Sequence, residues 1–143
     1  MTTEIPVDNP LLSHLGIRLV EWRTGHAEFH LAINAHHLNR QGNLQGGVVA
    51  TLLDVACGYA GLSPPDSGRR DDSATVMLNV SFLDKANSGV LIARGCVSRS
   101  GKRLYFATGE VTTDEGRIIA TAQGTFRIFR EADRDQAPGA ARG

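Results

Sequence analysis

Two features of this chain could do chemistry together. Gly46 and Gly47 open what reads as an apolar helix, and Asp54 follows on the same helix. Glycines at a helix start carry N–H groups that no helical carbonyl reaches, with no Cβ in the way. The positive end of the helix dipole adds to their pull on a carbonyl oxygen or an anion. A carboxylate can serve as nucleophile or general base. On a buried helix it is costly unless it is paired or used, so Asp54 is either a structural acid bonded to nearby backbone or a functional one. It belongs to a small, polar stripe, since Gly47, Thr51, Asp54, Gly58 and Gly61 share one side. Val48, Val49, Leu52, Leu53, Val55, Ala56, Tyr59 and Ala60 make the rest of the helix apolar, the mark of a buried one.

Their separation sets a constraint. At 1.5 Å per residue, Asp54 lies roughly 12 Å along the axis from Gly46. Reacting groups must come within about 3–3.5 Å of the substrate atom. One copy of the helix cannot bring both groups to one substrate. Two antiparallel copies can, and the small stripe permits close approach across a two-fold axis. A homodimer, or a homotetramer made of two, is therefore expected.

Other reactive side chains offer less. His26, Glu28 and His30 alternate along a strand, which puts the two imidazoles about 13 Å apart. One zinc needs both nitrogens at about 2 Å, so these read as solvent-facing polar residues. His36 and His37 read as loop residues, and no metal site is expected. Cys57 and Cys96 fall inside regular elements and read as buried, free thiols of a reducing compartment. Neither has a neighbour in sequence that would activate it.

The elements that must position these groups are legible from pattern. Asn9 and Pro10 cap a short helix ending at Gly16. Strands are expected at 17–22 and 26–33, then the helix up to residue 60, then strands at 73–84, 88–99, 102–114 and 117–129. Turns at 87–89, 100–101 and 114–116 imply antiparallel hairpins. Between the helix and these strands, the segment 63–72 is rich in proline and charge and reads as a mobile loop. Ile118, Ala120, Ala122, Gly124, Phe126 and Ile128 form one apolar face whose middle is small. Leu91, Ala93, Gly95 and Val97 repeat that trend, as do Ala107 and Gly109. Small residues in mid-strand leave a trough one helix wide. The expectation is an α+β domain, a curved antiparallel sheet wrapped around one long central helix.

Composition fits a single globular domain: 143 residues, 41% hydrophobic, 21% charged and no net charge. A neutral chain with pI near 7.0 carries no general affinity for nucleic acid or anionic membrane. The first residues lack the basic and apolar regions of a signal peptide. No apolar run is expected to reach the roughly 20 residues of a membrane span. These readings give a cytoplasmic protein with a polar leader at 1–8, one domain at 9–130 and a disordered tail at 131–143.

The pattern Asn39-x-x-Gly42-x-x-Gln45-Gly46-Gly47-x6-Asp54-x3-Gly58-x-Ala60 resembles the signature of hotdog-fold acyl-CoA thioesterases of the PaaI type. That signature reads Asn-x-x-Gly-x-x-His-Gly-Gly, followed by a helical Asp. The strand 74–83, the turn 98–103 and Gly124-Thr-Phe126 resemble the family too. The similarity covers residues 10–129. It implies the hotdog fold, hydrolysis of acyl-CoA to free acid and coenzyme A, and active sites at a dimer interface. By position, Gly46 would hold the thioester carbonyl, Asp54 would attack or activate water, Asn39 would orient the reacting groups and Thr75 would position water. Gly47, Lys85, Arg99, Lys102 and Arg103 are candidates for binding coenzyme A, which belongs to the substrate; no separate cofactor is implied. Gln45 stands where the family has His. It can donate a hydrogen bond but cannot shuttle a proton, and a thiol with pKa about 8.5 can leave without a general acid. A catalytically silent acyl-CoA-binding or sensing domain is the second reading. A hotdog dehydratase is a weaker third, since position 45 offers no His to pair with an acid.

Overall fold

The computed structural model describes residues 4–130, so the tail expected to be disordered lies outside the described residues. Asn9 caps α1 (Pro10–Leu15) by accepting a hydrogen bond from the Leu12 N–H, and Gly16 ends it in the left-handed region, φ 80°. β1 (Arg18–Arg23) and β2 (His26–Ala32) form a hairpin through Gly25, φ 82°. The leader is tied to it, since the Ile5 N–H donates to the Leu19 carbonyl at 2.8 Å. A short 3-10 turn (Ala35–His37) leads to the long helix α2 (Gly46–Ala60). β3 (Asp72–Phe82), β4 (Val90–Ser100), β5 (Leu104–Thr113) and β6 (Ile118–Phe129) complete the chain. All six strands make one antiparallel sheet, ordered β1-β2-β4-β5-β6-β3, curved around α2. This is the wrapped-helix, hotdog architecture expected from the sequence.

One expected hairpin does not form. β3 does not pair with β4; it pairs with β6 at the far edge, and β4 pairs with β2. Residues 83–89 are a crossover rather than a turn. They pass the start of α2, where the Ala86 carbonyl accepts from the Leu44 N–H at 2.8 Å and the Gly89 carbonyl from the Ile33 N–H at 2.9 Å. These long-range bonds replace the ladder that a short turn would otherwise have started.

The trough is real, and two glycines make it. A Cβ at Gly95 would run into the Ala56 carbonyl of α2, and one at Gly109 would lie 2.9 Å from the Cys57 sulfur. Gly124 serves a different purpose, because the ring of Phe126, rather than the helix, fills the space beside it. The apolar face of β6 also departs from strict alternation. A register shift opposite Val111 and Thr112 leaves Ile118 exposed and buries Ile119.

The polar stripe of α2 divides in two. Gly47 is exposed and Thr51 and Asp54 are half-buried, whereas Gly58 lies under Phe126 and Gly61 against the Tyr105 ring. Tyr105 is fully buried, stacks on Phe126 with centroids 5.1 Å apart, and donates to the Gly58 carbonyl at 2.6 Å. One composition reading needs correction: the 22 residues Gly46–Ser67 do have the length and mean hydropathy, 1.3, of a membrane span. The helical part of that stretch is the core helix of this domain, wrapped by the sheet, which gives the same signal.

Gly95→Ala is expected to destabilise the fold by about 1–3 kcal/mol, because backbone rather than a flexible side chain must give way. Urea unfolding midpoints measure it, and a loss below about 0.5 kcal/mol would mean that α2 does not rest on this glycine. A second expectation concerns alkaline pH. Burial pushes both the Tyr105 hydroxyl and the Cys57 thiol up to about 12, the Asp54 charge adding to the Cys57 shift. Their contribution to stability is complete below about pH 9 and is lost towards pH 12, because the unfolded chain releases these protons first. Melting temperature should fall across this range, and less steeply in Tyr105→Phe; an unchanged slope would assign the loss elsewhere.

Candidate functional site

The start of α2 is presented by a closed loop. Leu38 and Leu44 pair, and the Asn39 N–H donates to the Asn43 carbonyl at 2.7 Å. The Asn39 side-chain oxygen accepts from the Gln41 N–H at 2.9 Å and the Asn43 N–H at 3.1 Å, and Gly42 takes φ 81°. Asn39 therefore builds the turn with its oxygen and has only its amide NH2 to offer outward. Gln45 is the N-cap residue of α2, extended at φ −67° and ψ 133°, and its side chain makes no cap bond. It is exposed, and with Leu38, Asn39, Arg40 and Gln41 it lines a cavity of about 580 Å³. The first helical N–H groups, those of Gly46 and Gly47, point out of the helix end without intrahelical acceptors. The Phe82 ring, largely exposed on β3, covers Gly46: a Cβ there would lie 3.4 Å from it.

Asp54 faces a different cavity. The Thr75 hydroxyl donates to its Oδ1 at 2.7 Å. Thr75 comes from β3, just before a bulge at which the register against β6 slips between Thr75 and Met77. Such bulges re-aim side chains. Here the Thr75 hydroxyl reaches the helix, although an edge strand would more simply show it to solvent. Asp54 and Thr75 line a cavity of about 330 Å³ together with Asn9, Tyr59, Leu62 and Phe126. Burial pushes the Tyr59 hydroxyl up, with Asn9 bonding to it and partly opposing that shift. An apolar wall with a phenol and an amide at its end can take a small or medium acyl group. Cys57, one turn along, is buried and protonated at neutral pH, so it is no nucleophile.

Within one chain the structure thus brings Asp54 to Thr75, and Asn39 to Gln45, but does not bring the two pairs into one cavity. The basic candidates are divided in the same way. Lys85 follows β3 beside the start of α2, whereas Arg99, Lys102 and Arg103 sit around the β4–β5 turn at the opposite end. All four are exposed. Arg117, not singled out by the sequence, grips the Lys85 segment: its Nη1 donates to Asp84 at 2.7 Å and to the Lys85 carbonyl at 2.9 Å. That hydrogen bond is the main reason why the Asp84 carboxyl is held below its usual range. Phe82 was missed too, because nothing local says that an edge-strand ring will cover a helix end.

The histidines are less exposed than the sequence suggests. His37 is buried, with Nε2 at 2.7 Å from the Leu15 carbonyl and Nδ1 accepting from the Asn34 N–H, so it is a structural pin. His26 is buried at its strand edge and His30 is bonded to Glu28 at 2.7 Å. Glu21, His26 and Glu28 do bring potential metal-ligand atoms within 4.8 Å of one another, a cluster that within-strand spacing could not reveal because Glu21 comes from β1. Both Glu28 oxygens are already engaged, by His30 and by Arg94 at 3.0 Å. Burial works to raise the Glu28 carboxyl, but these partners together hold it below its usual range. Cys96, expected to be buried, is exposed, because Gly95 faces α2 and its neighbour must face away.

Comparison with known proteins agrees with this geometry. The family model described as the Thioesterase superfamily matches residues 41–120. A protein of Halobacterium salinarum whose name proposes an esterase is 36% identical over 135 residues, 87% of each chain. Mouse acyl-coenzyme A thioesterase 13 is 26% identical over 100 residues, 68% of this chain and 69% of that one. The PaaI protein of the Escherichia coli phenylacetic acid degradation operon superposes with a TM-score of 0.76 at 22% identity, over 85% of this chain and 86% of that one, a likeness of fold. With more than half the chain matched by the family model and the wrapped helix in place, the protein belongs to the thioesterase superfamily of hydrolases.

Proposed function

We propose that this protein hydrolyses acyl-CoA thioesters to free acid and coenzyme A, at sites that two copies of the chain build between them in the cytoplasm. The observation that carries this reading is that Asp54 and the glycine start of α2 face separate cavities, roughly 12 Å apart along one continuous helix. A two-fold axis beside the exposed part of the polar stripe would set Asp54 of one copy against Gly46 of the other. The unpaired edge of β3 suits such an axis. It is long and exposes Val76 and Met77, with Phe82 and Leu83 beyond, and an open apolar edge invites pairing with a second copy.

In such a site the Gly46 N–H polarises the thioester carbonyl and stabilises the oxyanion as the carbon becomes tetrahedral. Asp54, oriented by Thr75, attacks that carbon or takes a proton from the attacking water. Coenzyme A leaves as a thiolate, which asks nothing of position 45 as an acid. Gln45 and Asn39 present amide donors beside the carbonyl. Lys85 of one copy and the Arg99, Lys102 and Arg103 group of the other would flank the coenzyme A phosphates. The silent-binding alternative predicts no thiol release from any acyl-CoA, and a panel of such substrates with a thiol reagent decides between the two.

Thr75→Val should lower turnover by up to about 10²-fold, because the carboxylate loses its aim, while Thr75→Ser retains most of the activity. Equal rates in all three proteins would remove Thr75 from the site. A sharper test uses Gly46→Pro. Proline is accepted at the first helical position, and the extended Gln45 backbone is already what a following proline requires. The variant removes one N–H and should cost about 10²–10³-fold in rate. Asp54→Asn should be inactive on its own. Refolded together in equal amounts, the two should recover about a quarter of wild-type activity, because each mixed dimer holds one intact site. Mixed dimers confirmed by mass spectrometry but inactive would refute the shared site.

A further inference from the structure

The outer face of the sheet, away from α2, carries a second reactive constellation. His26 on β2 and Cys96 on β4 are directly opposite in the antiparallel register. The Cys96 sulfur lies 3.5 Å from His26 Nδ1, and His26 Nε2 lies 2.8 Å from a Glu21 oxygen. An ionised carboxylate only accepts hydrogen bonds, so Nε2 carries the proton and the Nδ1 lone pair faces the thiol. The imidazole is held in place, its side chain only 11% exposed, while the thiol it faces is open. A base oriented by a third group and set against a nucleophile is the arrangement that activates cysteines. Above it lies a cavity of about 560 Å³, lined by His26, Cys96, Arg94, Glu110, Asn79 and Gln123 among others. That lining is rich in amides and charge, which suits a small polar molecule rather than an acyl chain.

We propose that Cys96 is a thiol-modification site that exchanges with low-molecular-weight polar disulfides, with His26 as its base and Glu21 as the group that orients the base. The Sγ–H proton passes to His26 Nδ1, and Glu21 stabilises the imidazolium. The thiolate attacks one sulfur of the disulfide. A new S–S bond joins Cys96 to half of the reagent, the old S–S bond breaks, and the other half leaves as a thiolate that takes the proton back from His26. Cys96 is oxidised and one half of the reagent is reduced, so electrons balance. The chain's other cysteine, Cys57, is buried against Gly109 on the helix side and cannot resolve the adduct. The product is therefore a mixed disulfide, removed by an external thiol. A metal is the competing use of these side chains, but the remaining carboxylate, Glu28, is held by His30 and Arg94, and the Arg94 charge opposes a cation there.

The test follows adduct formation with oxidised glutathione by intact mass and peptide mapping. One glutathione should attach, at Cys96; Cys57→Ser should behave as wild type and Cys96→Ser should not react. His26→Asn should slow the reaction at least ten-fold and Glu21→Gln several-fold, with melting temperatures recorded to show that both variants are folded. Glu21→Gln keeps the shape of the side chain, so it reports on the charge alone. Equal rates in wild type, His26→Asn and Glu21→Gln would reduce Cys96 to an ordinary exposed thiol and overturn the proposal. So would stoichiometric zinc binding that needs both Cys96 and His26, which would make the pair metal ligands.

Discussion

The helix meets the sheet through backbone rather than through side chains. Gly95 lets β4 come against the Ala56 carbonyl, and Gly109 lets β5 come against Cys57 and Leu53. A helix seated this deeply needs small residues on the touching face of the sheet and apolar residues on most of its own surface. It also fixes the rotation of the helix about its axis, because only one side can be pressed against a glycine floor. The opposite side, with Gly47, Thr51 and Asp54, is then left open by construction. The placement of the acid is thus a consequence of packing at Gly95, on the other face of the same helix.

The two ends of the candidate site depend on different supports. The glycine start of α2 is held by the loop closed by Asn39 and by the crossover segment at Ala86, both made of backbone hydrogen bonds. Asp54 is held by one side chain, Thr75, on a strand that has a neighbour on only one edge. The donor end is consequently rigid in the single chain, while the carboxylate end relies on an edge strand whose other edge is unpaired within the chain. The Cys96 constellation stands on the central strands β2 and β4 and faces away from α2, so its geometry depends on neither support.

Much of this was legible in the sequence, because helix, strands and the glycine-acid spacing are local or periodic signals. Asn9 and Pro10, the Gly46 start and the mid-strand small residues all ended where their chemistry places them. What was not legible is what depends on partners distant in the chain. The turn at 87–89 looked like a hairpin, but strand pairing is decided by bonds from Leu44 and Ile33, about fifty residues upstream. His26 looked like a surface histidine until Glu21 and Cys96 arrived from two other strands. Ile118 and Ile119 exchanged faces through one extra residue opposite Val111, which no alternation rule can foresee.

The bulge after Thr75 does the same on β3, with a larger effect. Ser73 and Thr75 precede the slip, and Leu78 and Val80 follow it, yet all lie on the helix side. The strand changes parity at Val76: odd positions face the helix before it and even positions after it. Deleting one residue at Val76 would therefore turn the strand's second half inside out, offering Asn79 and Ser81 to the core and Leu78 and Val80 to water. Length variation in this stretch of chain is confined to the loop before Asp72, where an added residue changes no parity at all.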